Sequence, residues 1–148
     1  MSYTENLKFK CAQCKNCCCL KGGVVLLSKT DLEKLCKWAE LTKEQFTEVY
    51  CRKLENADGK TYLCLKDKDK NKTECIFWNK EKGCEAYNAR PIQCRTYPFW
   101  TKIIESKSSW EAEKNFCPGI NEGNEIPQEE VCAQLKLYEE NKKHLVTT

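Results

Sequence analysis

The chain has 148 residues, of which 41% are hydrophobic, 32% are charged and 13 are cysteine, and its formal net charge is +3. This length predicts a single domain with a modest core. The small positive charge excludes a surface built to bind nucleic acid, and no apolar run is long enough to cross a membrane.

The predicted elements begin with a short apolar run at residues 24–27, which favours a buried strand. Two helices are expected next, beginning near Thr30 and Thr42, because each threonine is followed three residues later by Glu or Gln in a capping pattern. Together they predict a helical hairpin that extends to Asn56.

The later part of the chain alternates short strands with turns and ends in a helix. Its predicted elements are a strand around Tyr62, a charged loop at 66–72, a returning strand at 75–78, a short helix carrying Arg90 to Arg95 that Pro98 ends, a hairpin from 99–104 to Trp110, and a helix from Pro127. We therefore expect one α+β domain over 1–148, with short β-hairpins and three to four helices around a cysteine metal site. Its core should span 9–119 and its C-terminal helix 127–143.

Four cysteines lie within eight residues, at Cys11, Cys14, Cys17 and Cys18, and a fifth follows at Cys19. Two intervening residues allow the backbone to turn so that successive sulfurs converge on one centre. This N-terminal cysteine cluster, defined as Cys11, Cys14, Cys17 and Cys18, therefore predicts a site for a metal ion or an iron–sulfur cluster. The role of Cys19 stays open.

A disulfide framework is the competing explanation for so many cysteines. The first ten residues, MSYTENLKFK, contain no apolar run of the length that a signal peptide needs. We therefore expect a cytoplasmic, reducing location, in which closely spaced thiols act as metal ligands or redox groups.

The other cysteines divide by their surroundings. Four of them are expected at turns or element ends, where a side chain can reach a shared centre: Cys75, Cys84, Cys94 and Cys117. Cys36, Cys64 and Cys132 lie in apolar periodic segments and are expected to pack in the core. Cys51 is expected near the surface at a helix end, and His144, in a polar tail, is not expected to bind metal.

The segments CAQCKNCC and ECIFWNKEKGCEAYNARPIQCRTYPF, followed by CPG, resemble the YkgJ-like CxxCxxCC cysteine-cluster proteins, which are described as a zinc- or iron-chelating domain. The resemblance runs from Cys11 to Gly119. It implies that the eight selected cysteines are the metal ligands, and Tyr87, Arg90, Pro91 and Arg95 match a second signature of the family. Flagellin lysine N-methylases are similar over this region but much longer, so the resemblance implies methylation only weakly.

Two metal centres are compatible with these ligands. Cys11, Cys14 and Cys17 would supply three corners of a 4Fe-4S cluster, with a remote cysteine such as Cys94 or Cys117 as the fourth, and this is the favoured interpretation. The alternative is zinc, with two tetrahedral sites of four cysteines each. The first predicts a redox or substrate-binding protein, and the second predicts a structural, interaction or metal-handling module.

Arg90 and Arg95 flank Cys94 and are candidate cofactor-binding residues together with Tyr87. A planar guanidinium can offset thiolate charge or bind an anionic group, so a small anionic ligand or a protein partner is expected. The alternative is ordinary salt bridging at the surface. No catalytic residue can be assigned, since no nucleophile, phosphate-binding or paired-carboxylate motif is present.

Overall fold

The computed structural model describes residues 3–11, 24–68, 74–79 and 81–147. Within these ranges the chain forms five α-helices and six short strands, which pair into three two-stranded antiparallel sheets. The helices are α1 (Lys29–Ala39), α2 (Lys43–Tyr50), α3 (Ile92–Thr96), α4 (Lys107–Ala112) and α5 (Gln128–Lys142). The strands are β1 (Lys8–Phe9), β2 (Cys51–Glu55), β3 (Thr61–Leu65), β4 (Trp78–Asn79), β5 (Gly83–Cys84) and β6 (Ile120–Glu125). The α+β class is confirmed, with more helices than the three to four expected.

The chain is organised in two compact units. The first comprises Met1–Cys17 and Thr96–Glu140, and the second comprises Cys18–Arg95 and Asn141–Thr148. The prediction that residues 1–148 form a single domain stays a prediction. No helix in the part of the chain that the structure describes is both long enough and apolar enough to cross a bilayer.

In the first unit, β1 pairs with β6, and the core beneath them contains Leu7, Trp110, Ile120 and Val131, each at most 1% exposed. Helix α5 buries Val131, and Leu135 packs against the same core. The paired strands and this helix hold the segment leading to Cys11 in place.

The hairpin predicted from 99–104 to Trp110 is wrong. The Ser106 hydroxyl accepts a hydrogen bond from the Ser109 N–H, and the Ser109 hydroxyl accepts one from the Ser106 N–H. This reciprocal cap starts helix α4 where a turn was expected, because serine caps a helix as readily as it forms a turn. Trp110 is therefore a buried residue of helix α4, and its ring stacks on the ring of Phe99.

In the second unit, α1 and α2 each begin with a capping box. The predicted Thr42 cap of α2 is confirmed, whereas α1 is capped by Ser28 and Asp31, two residues before the expected position. Helix α2 ends at Tyr50 and does not continue towards Asn56 as predicted, because the following residues form strand β2.

Strand β2 forms a hairpin with β3 and is stabilised by its turn. Gly59 adopts a positive φ of 82°, and the Asp58 carboxylate accepts a hydrogen bond from the Lys60 N–H. Glycine tolerates this left-handed conformation, which other residues adopt at a cost. The hairpin thus replaces the last predicted turn of helix α2.

Residues 24–27 were predicted to form a strand, and this is wrong: Leu26 makes one isolated antiparallel bridge, to Cys64 of β3. The Leu27 N–H donates to the Leu63 carbonyl, but the Leu63 N–H donates to Val146 near the C-terminus. The segment around Val146 therefore bonds part of the edge of β3, and residues 24–27 would need that edge to form a continuous strand.

Candidate metal centre

Three of the eight candidate ligands, Cys14, Cys17 and Cys18, lie outside the described residues, as does Cys19. The geometry of the site therefore rests on Cys11, on the four later cysteines, and on the chain before and after the N-terminal cysteine cluster. Each later cysteine is considered within its own unit.

The segment leading into the cluster is fixed beside the loop of Cys117. Phe9 pairs with Ile120, and the Lys10 N–H donates to the Gly119 carbonyl at 3.1 Å. A Cβ at Gly119 would lie 2.2 Å from the Lys10 oxygen, so only glycine permits this approach. The main chain on the N-terminal side of Cys11 is therefore held against the Cys-Pro-Gly loop.

Cys117 itself is 8% exposed and packs in the core of the first unit. Its N–H donates to the Glu113 carbonyl at 2.9 Å, and its carbonyl accepts from the Ile120 N–H at 3.2 Å. Both main-chain groups are thus bonded, so the backbone position of this candidate ligand is well determined. Cys11, by contrast, is exposed.

The segment that leaves the cluster is fixed beside Cys94 in the second unit. The Gln93 Oε1 accepts a hydrogen bond from the Leu26 N–H at 3.0 Å, and its Nε2 donates to the Val24 carbonyl at 2.6 Å. Gln93 and the half-buried Cys94 are neighbours on helix α3. The side chain of Gln93 therefore ties residues 24–26 to the helix that carries a candidate ligand.

Helix α3 is in turn fixed at its first residue by Asp31, which is 1% exposed. The Asp31 Oδ1 accepts from the Ile92 N–H at 2.9 Å, and Oδ2 accepts from the Ser28 N–H at 3.0 Å. A carboxylate at the start of a helix satisfies a donor that the helix itself leaves unpaired. One buried side chain thus anchors both α1 and the Cys94 helix.

Cys84 lies in strand β5 of the small hairpin formed by β4 and β5, and Cys75 lies three residues before β4. The Cys75 carbonyl accepts from the Trp78 N–H at 2.9 Å, and Cys84 is the strand partner of Trp78. Both cysteines are half-buried and pack against the core that contains Phe77. The Asn79 side chain closes the turn of the hairpin by accepting hydrogen bonds from two main-chain N–H groups, those of Glu81 and Lys82, and Cys84 is therefore presented by a short, well-bonded element.

A cation lies near this hairpin. The Arg52 Nη2 is 3.6 Å from the Asp67 Oδ2. The main chain of Asp67 forms an isolated antiparallel β-bridge with that of Cys75. The Arg52 Nε is buried and has no hydrogen-bond partner among the described residues. Positive charge favours the thiolate form of a neighbouring cysteine. No local pattern in the sequence singles out Arg52, because its partner Asp67 comes from a distant segment.

The donor set suits a soft metal, since all candidate ligands are cysteines. Among residues 3–11, 24–68, 74–79 and 81–147, no three Cys, His, Asp or Glu side chains form a group that could hold a metal ion. The assignment of the eight ligands stays a prediction.

The remaining cysteines behave partly as expected. Cys36 and Cys64 are buried, as predicted, but Cys51 is 5% exposed at the start of β2, and Cys132 is exposed on α5. Burial, with smaller contributions from Cys64 and Cys36, raises the pKa of the Cys51 thiol to about 12. Burial also raises the pKa of Cys36. Both thiols are thus protonated at neutral pH, unlike a ligand thiolate.

His144, which was not expected to bind metal, is exposed.

Tyr87 and Arg90 are brought together at the surface. The guanidinium carbon of Arg90 lies 3.9 Å from the Tyr87 ring centroid, and its Nε donates to the Tyr87 carbonyl at 3.0 Å. Arg90 precedes α3, and Arg95 lies exposed on it, so they do not share one helix as predicted. Neither arginine forms a salt bridge with any residue that the structure describes.

The sequence interpretation missed three residues that fix the site: Asp31, Gln93 and Gly119. The pattern Ser28-Lys29-Thr30-Asp31 is a helix-capping signal and could have indicated the cap, but nothing local indicates the bond from Asp31 to Ile92. The partners of Gln93 and Gly119 are equally remote in sequence.

Comparison with known proteins agrees with the resemblance stated from the cysteine segments. An uncharacterized protein of Methanocaldococcus jannaschii is 26% identical over 106 residues, which cover 71% of this chain and 52% of that protein. The chain thus spans about half the length of this curated relative. No solved structure matches significantly. Residues 10–118 match the CxxCxxCC family model, described as a "putative zinc- or iron-chelating domain". Since this match covers well over half of the chain, the protein belongs to the CxxCxxCC family, whose described property is the binding of zinc or iron.

Proposed function

We propose that the protein carries a 4Fe-4S cluster held by Cys11, Cys14, Cys17 and one remote cysteine, either Cys94 or Cys117. The bound cluster would supply electron transfer or a Lewis-acidic iron for a substrate. The remaining candidate ligands, Cys18, Cys75 and Cys84, would line or complete the centre. Because the ligands must be reduced thiolates, we place the protein in the cytoplasm.

The observation that carries this proposal is the fixing of the chain on both sides of the N-terminal cysteine cluster. In the first unit, Lys10 is bonded to Gly119 near Cys117, and in the second unit, residues 24–26 are bonded to Gln93 beside Cys94. The described residues before and after the cluster, Lys10 and residues 24–26, are therefore each bonded to a residue close in sequence to a distant cysteine. A cubane that takes three ligands from one short segment needs a remote fourth ligand of this kind.

Zinc is the second candidate, because the family is described as chelating zinc or iron. The arrangement around Trp78 favours it, because Trp78 pairs with Cys84, its N–H donates to the Cys75 carbonyl, and two cysteines packed on one core suit a closed tetrahedral site. Two such sites would use all eight candidate thiolates. The protein would then be a structural or metal-handling module without catalysis.

Metal analysis of protein purified without oxygen distinguishes the iron–sulfur cluster from zinc. We expect about four iron and about four acid-labile sulfide per chain, with a broad visible absorption that bleaches on reduction. Elemental analysis, sulfide determination and absorption spectra check this. Zinc without sulfide would replace the iron–sulfur proposal by the zinc module, and a chain that holds neither metal under these conditions would contradict both.

Tyr87, Arg90 and Arg95 are proposed to bind an anionic group of a small ligand or of a protein partner. Three features support this: Tyr87 is 58% exposed, its ring supports the Arg90 guanidinium, and neither arginine is neutralised by a salt bridge within the described residues. A guanidinium held in one orientation loses less entropy when it binds an anion.

Replacing Arg95 with alanine is expected to weaken anion binding about tenfold, the loss of one charged hydrogen bond, while leaving metal content unchanged. Titration of the metal-loaded protein with inorganic phosphate, followed by NMR of the arginine side chains, measures the change. Lys34→Ala is the matched control, because Lys34 is an exposed cation of the same unit on α1. If the metal is lost together with anion binding, Arg95 supports the metal centre and does not bind an anion.

A further inference from the structure

The amide of Gln93 takes the place of a neighbouring strand. On one edge of residues 24–27, the Leu27 N–H donates to Leu63 and the Val25 carbonyl accepts from Leu65, both in β3. The Leu26 N–H and the Val24 carbonyl alternate with these groups along the segment and face the opposite edge, where Gln93 binds both. The segment is therefore bonded on both edges, although among the described residues only strand β3 lies beside it.

Glutamine suits this position because it offers a donor and an acceptor at the end of one side chain. The Val24 carbonyl requires a donor and the Leu26 N–H requires an acceptor. A glutamate offers only acceptors when ionised, and a lysine offers only donors. The two bonds also link segments that are 67 and 69 residues apart, so they fix tertiary position and not local conformation.

Gln93 is itself held in place. Asp31 accepts a hydrogen bond from the Ile92 N–H, the residue immediately before Gln93, and is almost fully buried. Cys94 is the residue immediately after Gln93, and its N–H donates to the Pro91 carbonyl at 3.0 Å. The same helical turn thus carries a candidate ligand and fixes the first described residues that follow the N-terminal cysteine cluster.

We propose that Gln93 is a positioning residue of the metal centre, which sets where the chain leaves the N-terminal cysteine cluster relative to Cys94. This inference rests on the proposed function. Without the amide, residues 24–26 lose the bonds of one edge, and the chain that follows the cluster is no longer tied to the helix of Cys94. Loss of such an outer contact typically weakens metal binding about 10-fold to 100-fold.

The test uses Gln93→Met, which keeps the length of the side chain and removes both hydrogen-bonding groups. We expect the rate of metal transfer from the loaded protein to a chelator to rise about tenfold. Gln45→Met is the matched control, since the Gln45 Oε1 also accepts a main-chain N–H, that of Thr42 at 3.0 Å, in the same unit. Gln45→Met should release metal at the wild-type rate.

Two further measurements separate positioning from general stability. A purely structural role would destabilise the metal-free chain and leave the transfer rate and the absorption spectrum unchanged, whereas positioning alters both. If Gln93→Met does not fold, Gln93→Glu keeps the acceptor for Leu26 but sets a carboxylate oxygen against the Val24 carbonyl, and it should show a rise in the same direction. If a folded Gln93 variant transfers metal at the wild-type rate, the inference about Gln93 is wrong and the proposed function stands. If the wild-type chain binds no metal, both the proposed function and the inference are wrong.

Discussion

Replacing the remote fourth ligand, whichever of Cys117 and Cys94 it is, with serine is expected to strip the metal and to lower the free energy of unfolding by more than about 4 kcal/mol, the range that loss of a metal site typically reaches. For a chain of this size the melting temperature should fall by roughly 8–16 °C. The reason is that a thiolate site rarely exists in the unfolded chain, so the binding energy of the metal is also folding energy. A serine hydroxyl is a poor substitute for a thiolate towards a soft metal.

Each replacement has a matched control in its own unit. Cys132→Ser, at an exposed position of α5, should stay within about 0.5 kcal/mol of wild type, and Cys36→Ala should lose about 1 kcal/mol of packing and keep its metal. Elemental analysis and thermal unfolding of anaerobic samples measure both effects. Full metal content in Cys117→Ser or Cys94→Ser would remove that cysteine from the ligand set.

Helix starts could be predicted wherever the signal is local. Thr42 with Gln45 and Pro127 both marked real helices, because a cap or a leading proline acts within one turn. The start of α1 was predicted two residues too late, at Thr30. Ser28 and Asp31 form the actual cap, and Asp31 gains a further bond to Ile92 that no local pattern reveals.

The two errors among the cysteines have different physical causes. Cys51 was expected on a helix, but the turn at Gly59 allows residues 51–55 to pair with β3, and this long-range pairing replaced the last helical turn. Cys132 was expected in the core of α5, where Val131 takes the inward position. Adjacent residues of a helix are rotated by about 100°, so burial of one turns the next towards solvent.

For the metal site, the sequence indicates the kind of ligand but not the framework that holds it. Cysteine spacing alone points to thiolate chemistry, because a short segment must converge on one centre. Gln93 and Gly119 gave no such signal, since their roles arise from contacts with residues 24–26 and Lys10. Positions of this kind become visible only when distant segments are seen side by side.

Gly119→Ala tests whether the framework around Cys117 matters for the metal. The added Cβ would lie 2.2 Å from the Lys10 carbonyl oxygen and 3.0 Å from its carbon, and both contacts are with main chain, which cannot rotate away. We expect a loss of about 3 kcal/mol or more, at the upper end of overpacking effects, and a melting temperature lower by roughly 6–12 °C. Metal content should fall as well, because β1 must separate from β6 and carry Cys11 away from the Cys117 loop.

Gly59→Ala provides the comparison for this variant. Gly59 has a positive φ of 82° but no atom within 4 Å of an added Cβ, so alanine there should lose only about 1 kcal/mol through backbone strain and keep its metal. Thermal unfolding and elemental analysis of the two variants distinguish a steric clash that pushes β1 away from β6 from the general effect of losing a glycine. If Gly119→Ala unfolds no more readily than Gly59→Ala and binds a full complement of metal, the close approach of Lys10 to Gly119 does not position the ligands, and Cys117 must owe its place to its core packing alone.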